Sequence, residues 1–96
     1  MYDRCVAPKF LDSSKKHGIS KEDTIYAILN ANYIRVLEHE QTDKGLIRLY
    51  IGPRHAQTER EVEILVHEFP GSGDDAVIFH VADLGPKYRR YREEHQ

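Results

Sequence analysis

Residues 76–95 read Ala76-Val77-Ile78-Phe79-His80-Val81-Ala82-Asp83-Leu84-Gly85-Pro86-Lys87-Tyr88-Arg89-Arg90-Tyr91-Arg92-Glu93-Glu94-His95. The first seven form an apolar run of strand length, and Pro86 suits the opening of a helix that follows almost at once. Wound at helical pitch, Leu84, Tyr88, Tyr91 and His95 fall on one stripe, while Arg89 and Arg90 point away from it. A buried strand thus gives the last helix a fixed base and an outward polycationic surface. Lys87, Arg89, Arg90 and Arg92 concentrate positive charge in a chain whose formal net charge is −2, where it can meet a phosphate backbone or an acidic partner.

Moving outward from this stretch, Pro70-Gly71-Ser72-Gly73-Asp74-Asp75 is a turn, and Glu61 to Phe69 reads as the preceding strand. Residues 54–60 are a polar loop. Leu46 to Ile51 alternates before Gly52-Pro53, and Gln41-Thr42-Asp43-Lys44-Gly45 has the composition of a hairpin loop after a first strand over Tyr33 to His39. Ser20 caps a helix whose inward stripe is Ile25, Ile28 and Leu29, with Asp23 as a capping-box-like partner. A shorter helix of about two turns precedes it, from Pro8 to the stop at Gly18. The strand connections leave no room for a crossover helix. The expected fold is therefore α+β: two N-terminal helices, a four-stranded antiparallel meander and a C-terminal helix, with the helices on one sheet face. Period-2 alternation assigns Ile47, Leu49, Ile51, Val62, Ile64, Val66, Val77, Phe79 and Val81 to the face under the helices. The opposite face would display Arg48, Tyr50, Glu63, Leu65, His67, Ile78, His80 and Ala82.

At 96 residues the chain, 1–96, is one domain. Charged residues make up 31% and hydrophobic residues 40%, an ordinary globular balance that excludes a disordered chain. No window is apolar enough for a membrane span, and the first 20 residues lack a signal-peptide core. With one cysteine, Cys5, and no internal disulfide to make, a reducing cytoplasm is the expected compartment. The mild net charge excludes bulk electrostatic capture of nucleic acid, so such contacts are expected to be local.

Two features carry candidate chemistry. In the tail, cations suit phosphate oxygens and tyrosine faces suit unpaired bases. The bland alternative is that the tyrosines dock the helix and the arginines are solvated. On the open face, His67 and His80 lie within a diagonal of one another on adjacent strands, with Arg48 and Tyr50 one strand away. Cleaving RNA through its own 2′-OH needs a base, an acid and a cation near phosphorus, roles open to histidine, lysine, arginine and tyrosine. His67, His80, Lys87 and Tyr91 are candidates for the chemistry, and Arg48, Tyr50, Lys87, Arg89, Arg90 and Arg92 for RNA contact. His80, flanked by apolar residues, can equally be read as a hydrogen-bonded structural histidine. No His or Cys pair has zinc-motif spacing, and no Walker loop, dinucleotide fingerprint or nucleophile elbow is present, so neither a metal nor a cofactor is expected.

Lys16-His17-Gly18-Ile19-Ser20, Leu49-Tyr50-Ile51-Gly52-Pro53, Glu63-Ile64-Leu65-Val66, Val77-Ile78-Phe79-His80-Val81-Ala82 and Pro86-Lys87-Tyr88 followed by Arg89 to Glu94 together resemble a BrnT-like toxin of a bacterial toxin–antitoxin pair. The similarity is to the short actinobacterial relatives and covers nearly the whole chain after residue 9. It implies a RelE-superfamily fold, metal-independent ribonuclease activity that arrests translation, and neutralisation by a small DNA-binding antitoxin encoded alongside. The assemblies open to such a pair are a homodimer or a heterotetramer with that antitoxin. By position, His17 matches the family's Lys-His-Gly turn and joins the catalytic candidates, and His80 matches the histidine of the closing strand. Where relatives carry arginine just after that strand, this chain has Asp83 and Leu84, so the cationic role passes to Lys87, Arg89 or Arg90. The alternative from another class is a non-catalytic module that binds an acidic protein partner through its basic helix and open sheet face.

Overall fold

The computed structural model describes residues 8–37 and 45–96. Its elements are strand β1 (Lys9–Phe10), a 3-10 turn (Asp12–Lys15), helix α1 (Lys21–Leu29), strands β2 (Tyr33–Val36), β3 (Leu46–Pro53), β4 (Glu61–Glu68) and β5 (Val77–Asp83), and helix α2 (Pro86–Glu94). The strands form one five-stranded sheet in the order β1-β5-β4-β3-β2. β1 runs parallel to β5, and the other neighbours are antiparallel. Among the described residues no helix is long and apolar enough to cross a membrane. Cys5, the loop at 41–44 and the strand end at 38–39 lie outside the described residues.

This corrects the expected fold in two respects. The first is the sheet, which is a five-stranded mixed sheet with two helices in place of a four-stranded antiparallel meander with an extra N-terminal helix. In place of that helix, residues 9–11 run along β5, where the Lys9 and Leu11 amides donate to the carbonyls of Ala76 and Ile78 at 2.9 and 3.0 Å. Those carbonyls would otherwise form an open sheet edge, and pairing them outweighs two turns of isolated helix. The Ser14 hydroxyl donates to the Leu11 carbonyl at 2.6 Å, tightening the chain into the 3-10 turn. Gly18, at φ +73°, then redirects it toward Ile19 and the Ser20 cap.

The second correction concerns the faces. Antiparallel pairing sets Leu49 opposite Leu65 and Tyr50 opposite Ile64, so Leu49 and Ile64 point to opposite sides. Between Val66↔Ile78 and Leu65↔His80, β5 carries one extra residue, Phe79, a β-bulge that breaks its alternation. One core therefore joins Val62, Ile64, Val66, Ile78 and Val81 to Ile19 and Ala27 beneath α1. The other joins Leu37, Leu49, Ile51 and Leu65 to Leu84 and Tyr88 of the α2 segment, with Phe79 and Tyr91 packed against it. The sheet lies between its two helices, one packed on each face.

α1 begins as its sequence dictates. The Asp23 amide donates to Ser20 Oγ at 3.0 Å, although the Asp23 carboxylate, instead of reaching back to Ser20, accepts from Arg54 Nε at 2.9 Å. Its fully buried residues are Thr24 and Ala27; of the expected stripe, Ile28 packs half-buried against the core, while Leu29 is 77% exposed. Gly52 gives the reason. A Cβ there would overlap the Ala27 carbonyl oxygen and lie 3.0 Å from Ala31 Cα, so the helix rides on the strand backbone and only small side chains fit between them.

Candidate functional site

The bulge turns His80 to the α2 side, where Glu63 also points because its cross-strand partner is Ala82, two residues along β5. His80 Nε2 and Glu63 Oε2 are 2.7 Å apart, and Glu63 Oε1 accepts the Gly85 amide hydrogen at 2.8 Å. Gly85 is the N-cap of α2 and has no side chain to cap with, so Glu63 takes the place that the third helical residue fills in a capping box. The Glu63 side chain is only 9% exposed and that of His80 30%, so the carboxylate is enclosed while the imidazole reaches solvent. Burial is the largest influence on Glu63 and raises its pKa. The hydrogen bonds from His80 and Gly85, with the pull of His80 and His17 when those imidazoles are protonated, outweigh it and hold the carboxyl below its ordinary value.

His17 completes the group. Ser13 Oγ donates to the Phe79 carbonyl at 2.8 Å, pinning the 3-10 turn to the bulge residue beside His80. The chain then presents the exposed His17 ring edge-on to His80, with 5.7 Å between centroids. A buried carboxylate, a half-exposed imidazole and an exposed imidazole thus run in file from the base of α2 to the surface. Such a file can hold, accept and deliver protons. Among the described residues, no three His, Cys, Asp or Glu side chains gather where they could hold a metal ion.

The other candidates are distributed differently. Arg48 and Tyr50 lie on the α1 side, so the expected convergence with His67 and His80 on one face does not occur. Both instead hold Glu68: Arg48 Nε donates to its two oxygens at 3.1 and 3.0 Å, and the Tyr50 hydroxyl donates at 3.1 Å. Burial first, then the charge and hydrogen bond of Glu68, push the Tyr50 hydroxyl up to about 12, with Arg48 opposing. His67 is on the α2 side but tilts against Phe69, 4.3 Å between centroids, with Gly45 beside its Nε2. Tyr91 packs in the α2-side core and stacks on His95 at 4.1 Å.

The tail cations are partly committed. Arg92 donates to both Glu61 oxygens, at 3.2 and 3.0 Å, and Asn32 adds a third hydrogen bond to that carboxylate. Burial raises the Glu61 pKa, but these donors and the nearby Arg89 charge bring it below the ordinary carboxylate value. Arg89 donates to the Leu84 carbonyl and lines an open cleft of about 320 Å³ with Glu59, Arg60, Glu61 and Asp83. The Lys87 ammonium lies 5.1 Å from the centre of the Tyr88 ring. Lys87, Arg89 and Arg90 occupy exposed positions.

Glu63 is the residue that sequence reasoning left without a role. The signal was present: an acid between Val62 and Ile64, in a strand covered on both sides, needs a donor for its charge. Comparison with family models, with curated proteins and with solved structures returns no match.

Proposed function

We propose that this chain is a metal-independent ribonuclease working in the cytoplasm as the toxin of a toxin–antitoxin pair, with His80 and His17 as its proton-transfer residues. The observation that carries this reading is the meeting of the two imidazoles. They come from distant parts of the sequence, they are the two positions that match the BrnT-like pattern, and their rings are 5.7 Å apart at a surface. In the reaction one imidazole takes the proton of an RNA 2′-OH and that oxygen attacks phosphorus. The bond to the 5′-oxygen breaks, and the other imidazole protonates the leaving oxygen, giving a 2′,3′-cyclic phosphate and a free 5′-OH. In this reading the positive charge for the pentavalent phosphorus is assigned to the exposed cations of α2, Lys87, Arg89 and Arg90. The alternative, a non-catalytic module that binds an acidic protein partner through its basic helix and open sheet face, has less support, because α2 and its tyrosines cover the sheet on the side where His80 emerges.

The test is cleavage of single-stranded RNA and of its 2′-deoxy counterpart by the purified chain in excess chelator. RNA should be cut to cyclic-phosphate ends while the deoxy strand stays intact. His80→Gln and His17→Gln should each lower the rate by about 10²-fold or more, as loss of a general acid or base does. Intact RNA after incubation with folded wild-type protein would defeat the reading. In cells, induction of the chain should stop growth and co-expression of the adjacent gene should restore it.

A further inference from the structure

We propose that Glu63 is the positioning residue of this site, fixing His80 with its hydrogen on Nε2 and leaving Nδ1 as the atom that accepts or delivers the proton. The proposal rests on the ribonuclease reading for its consequence, but its geometric core stands without it.

Glu63 is enclosed and both of its oxygens are engaged, Oε1 with the Gly85 amide at 2.8 Å and Oε2 with His80 Nε2 at 2.7 Å. An ionised carboxylate only accepts, so the hydrogen in the second contact belongs to Nε2. Neutral His80 then carries its lone pair on Nδ1. Among the described residues, Glu63 is the hydrogen-bond partner of His80, and the aromatic ring that meets it is that of His17, edge-on. The imidazole is therefore set from behind, by a group substrate does not touch, while its working nitrogen is left uncommitted on a half-exposed ring. The Gly85 amide holds the carboxylate in turn. Because that amide belongs to the N-cap of α2, the seating of the helix and the orientation of His80 depend on one side chain.

Glu63→Gln separates this role from a merely structural one. The glutamine carbonyl can still accept from Gly85, but its NH₂ now faces His80 Nε2 and forces that nitrogen to accept, which moves the hydrogen to Nδ1. Long-range proton–nitrogen NMR of the full-length, nitrogen-15-labelled protein reads the tautomer directly. His80 should carry its hydrogen on Nε2 in the wild type and on Nδ1 in Glu63→Gln. RNA cleavage by the variant should fall by roughly 10²-fold or more, since a wrong tautomer behind a catalytic imidazole has cost about 10⁴-fold elsewhere. A wild-type spectrum with the hydrogen on Nδ1 overturns the proposal and requires no variant to fold. Inversion of the tautomer with an undiminished cleavage rate overturns it as well. Wild-type protein that leaves RNA intact removes the ribonuclease reading, and the spectra then decide the hold of Glu63 on His80 by themselves.

Discussion

The two helices are held to the same sheet by different means. α1 lies directly on β3, with Gly52 under Ala27 and the small residues Thr24 and Ala27 turned inward. Its contact is short-range and close fit dominates it, with one ion pair, Asp23 to Arg54, at its first turn. α2 stands off on the rings of Tyr88 and Tyr91 and is tied at three levels. Glu63 holds the Gly85 amide at its start, Glu61 holds Arg92 in its last turn, and the Tyr33 hydroxyl and Arg35 guanidinium both donate to the His95 carbonyl at its end. A helix seated by fit responds to volume, whereas one seated by charged hydrogen bonds responds to protonation. The candidate chemistry lies on the second side, where the polar groups that secure the helix also reach an imidazole.

The sharpest way to break this contrast is to add one methyl group on each side. Gly52→Ala forces its Cβ into the Ala27 carbonyl and should cost about 3 kcal/mol, at the upper end of core overpacking. Gly85→Ala places its Cβ 3.5 Å from Glu63 Oε1, an ordinary contact, and should cost under about 1 kcal/mol. Urea unfolding of the two variants measures both, and equal losses would remove the distinction.

Acid provides the complementary probe. Glu61 and Glu63 both have carboxyls below their ordinary values in the folded chain, so the native state binds fewer protons than the unfolded one. Their contribution is complete above the ordinary carboxylate range and is lost as pH falls through the lowered folded values. Glu63→Gln should cost about 2 kcal/mol at neutral pH, the scale of a hydrogen bond to a charged group. It should also flatten the acid limb of a plot of unfolding midpoint against pH. An acid limb identical to wild type would mean that Glu63 does not secure α2 by its charge.

The smallest effect belongs to the α1 side. Ser20→Ala removes the acceptor of the Asp23 amide and should cost about 1 kcal/mol with no change in RNA cleavage. An unchanged thermal midpoint would show that the Ser20 hydroxyl does not help to seat α1.

What could be read from the sequence was what neighbours along the chain decide. The Ser20 cap, the turn at Gly18 and the helix after Pro86 depend on residues a few positions apart, as does the Leu84, Tyr88 and Tyr91 stripe. The β-branched runs marked β3, β4 and β5 for the same reason. Pairing across the chain was not legible. Two residues, Lys9 and Phe10, joined β5 as a parallel strand because its edge offered carbonyls, and nothing local signals that. Phe79 looks like one more apolar residue in an alternating run, yet as the bulge it changes the side on which His80 emerges. The Arg48 and Arg92 charges could be counted, but their commitment to Glu68 and Glu61 depends on register. Within the site, His80 was reached from the strand pattern and from resemblance and His17 from resemblance alone, while the part played by Glu63 required the fold.

Phe79 also acts as a mooring. Upstream of it, β5 pairs with β1, and downstream the strand is registered to β4 with His80 opposite Leu65 and Ala82 opposite Glu63. The extra residue is the joint between these two halves, and its own carbonyl accepts from Ser13 Oγ, tying down the segment that bears His17. Removing it would keep Ile78 opposite Val66 and His80 opposite Leu65, because β4 fixes both registers, but it would take that anchor away. A single codon therefore decides whether the two imidazoles are brought to one place, and a lineage that lost it could unmake the site without rebuilding the sheet.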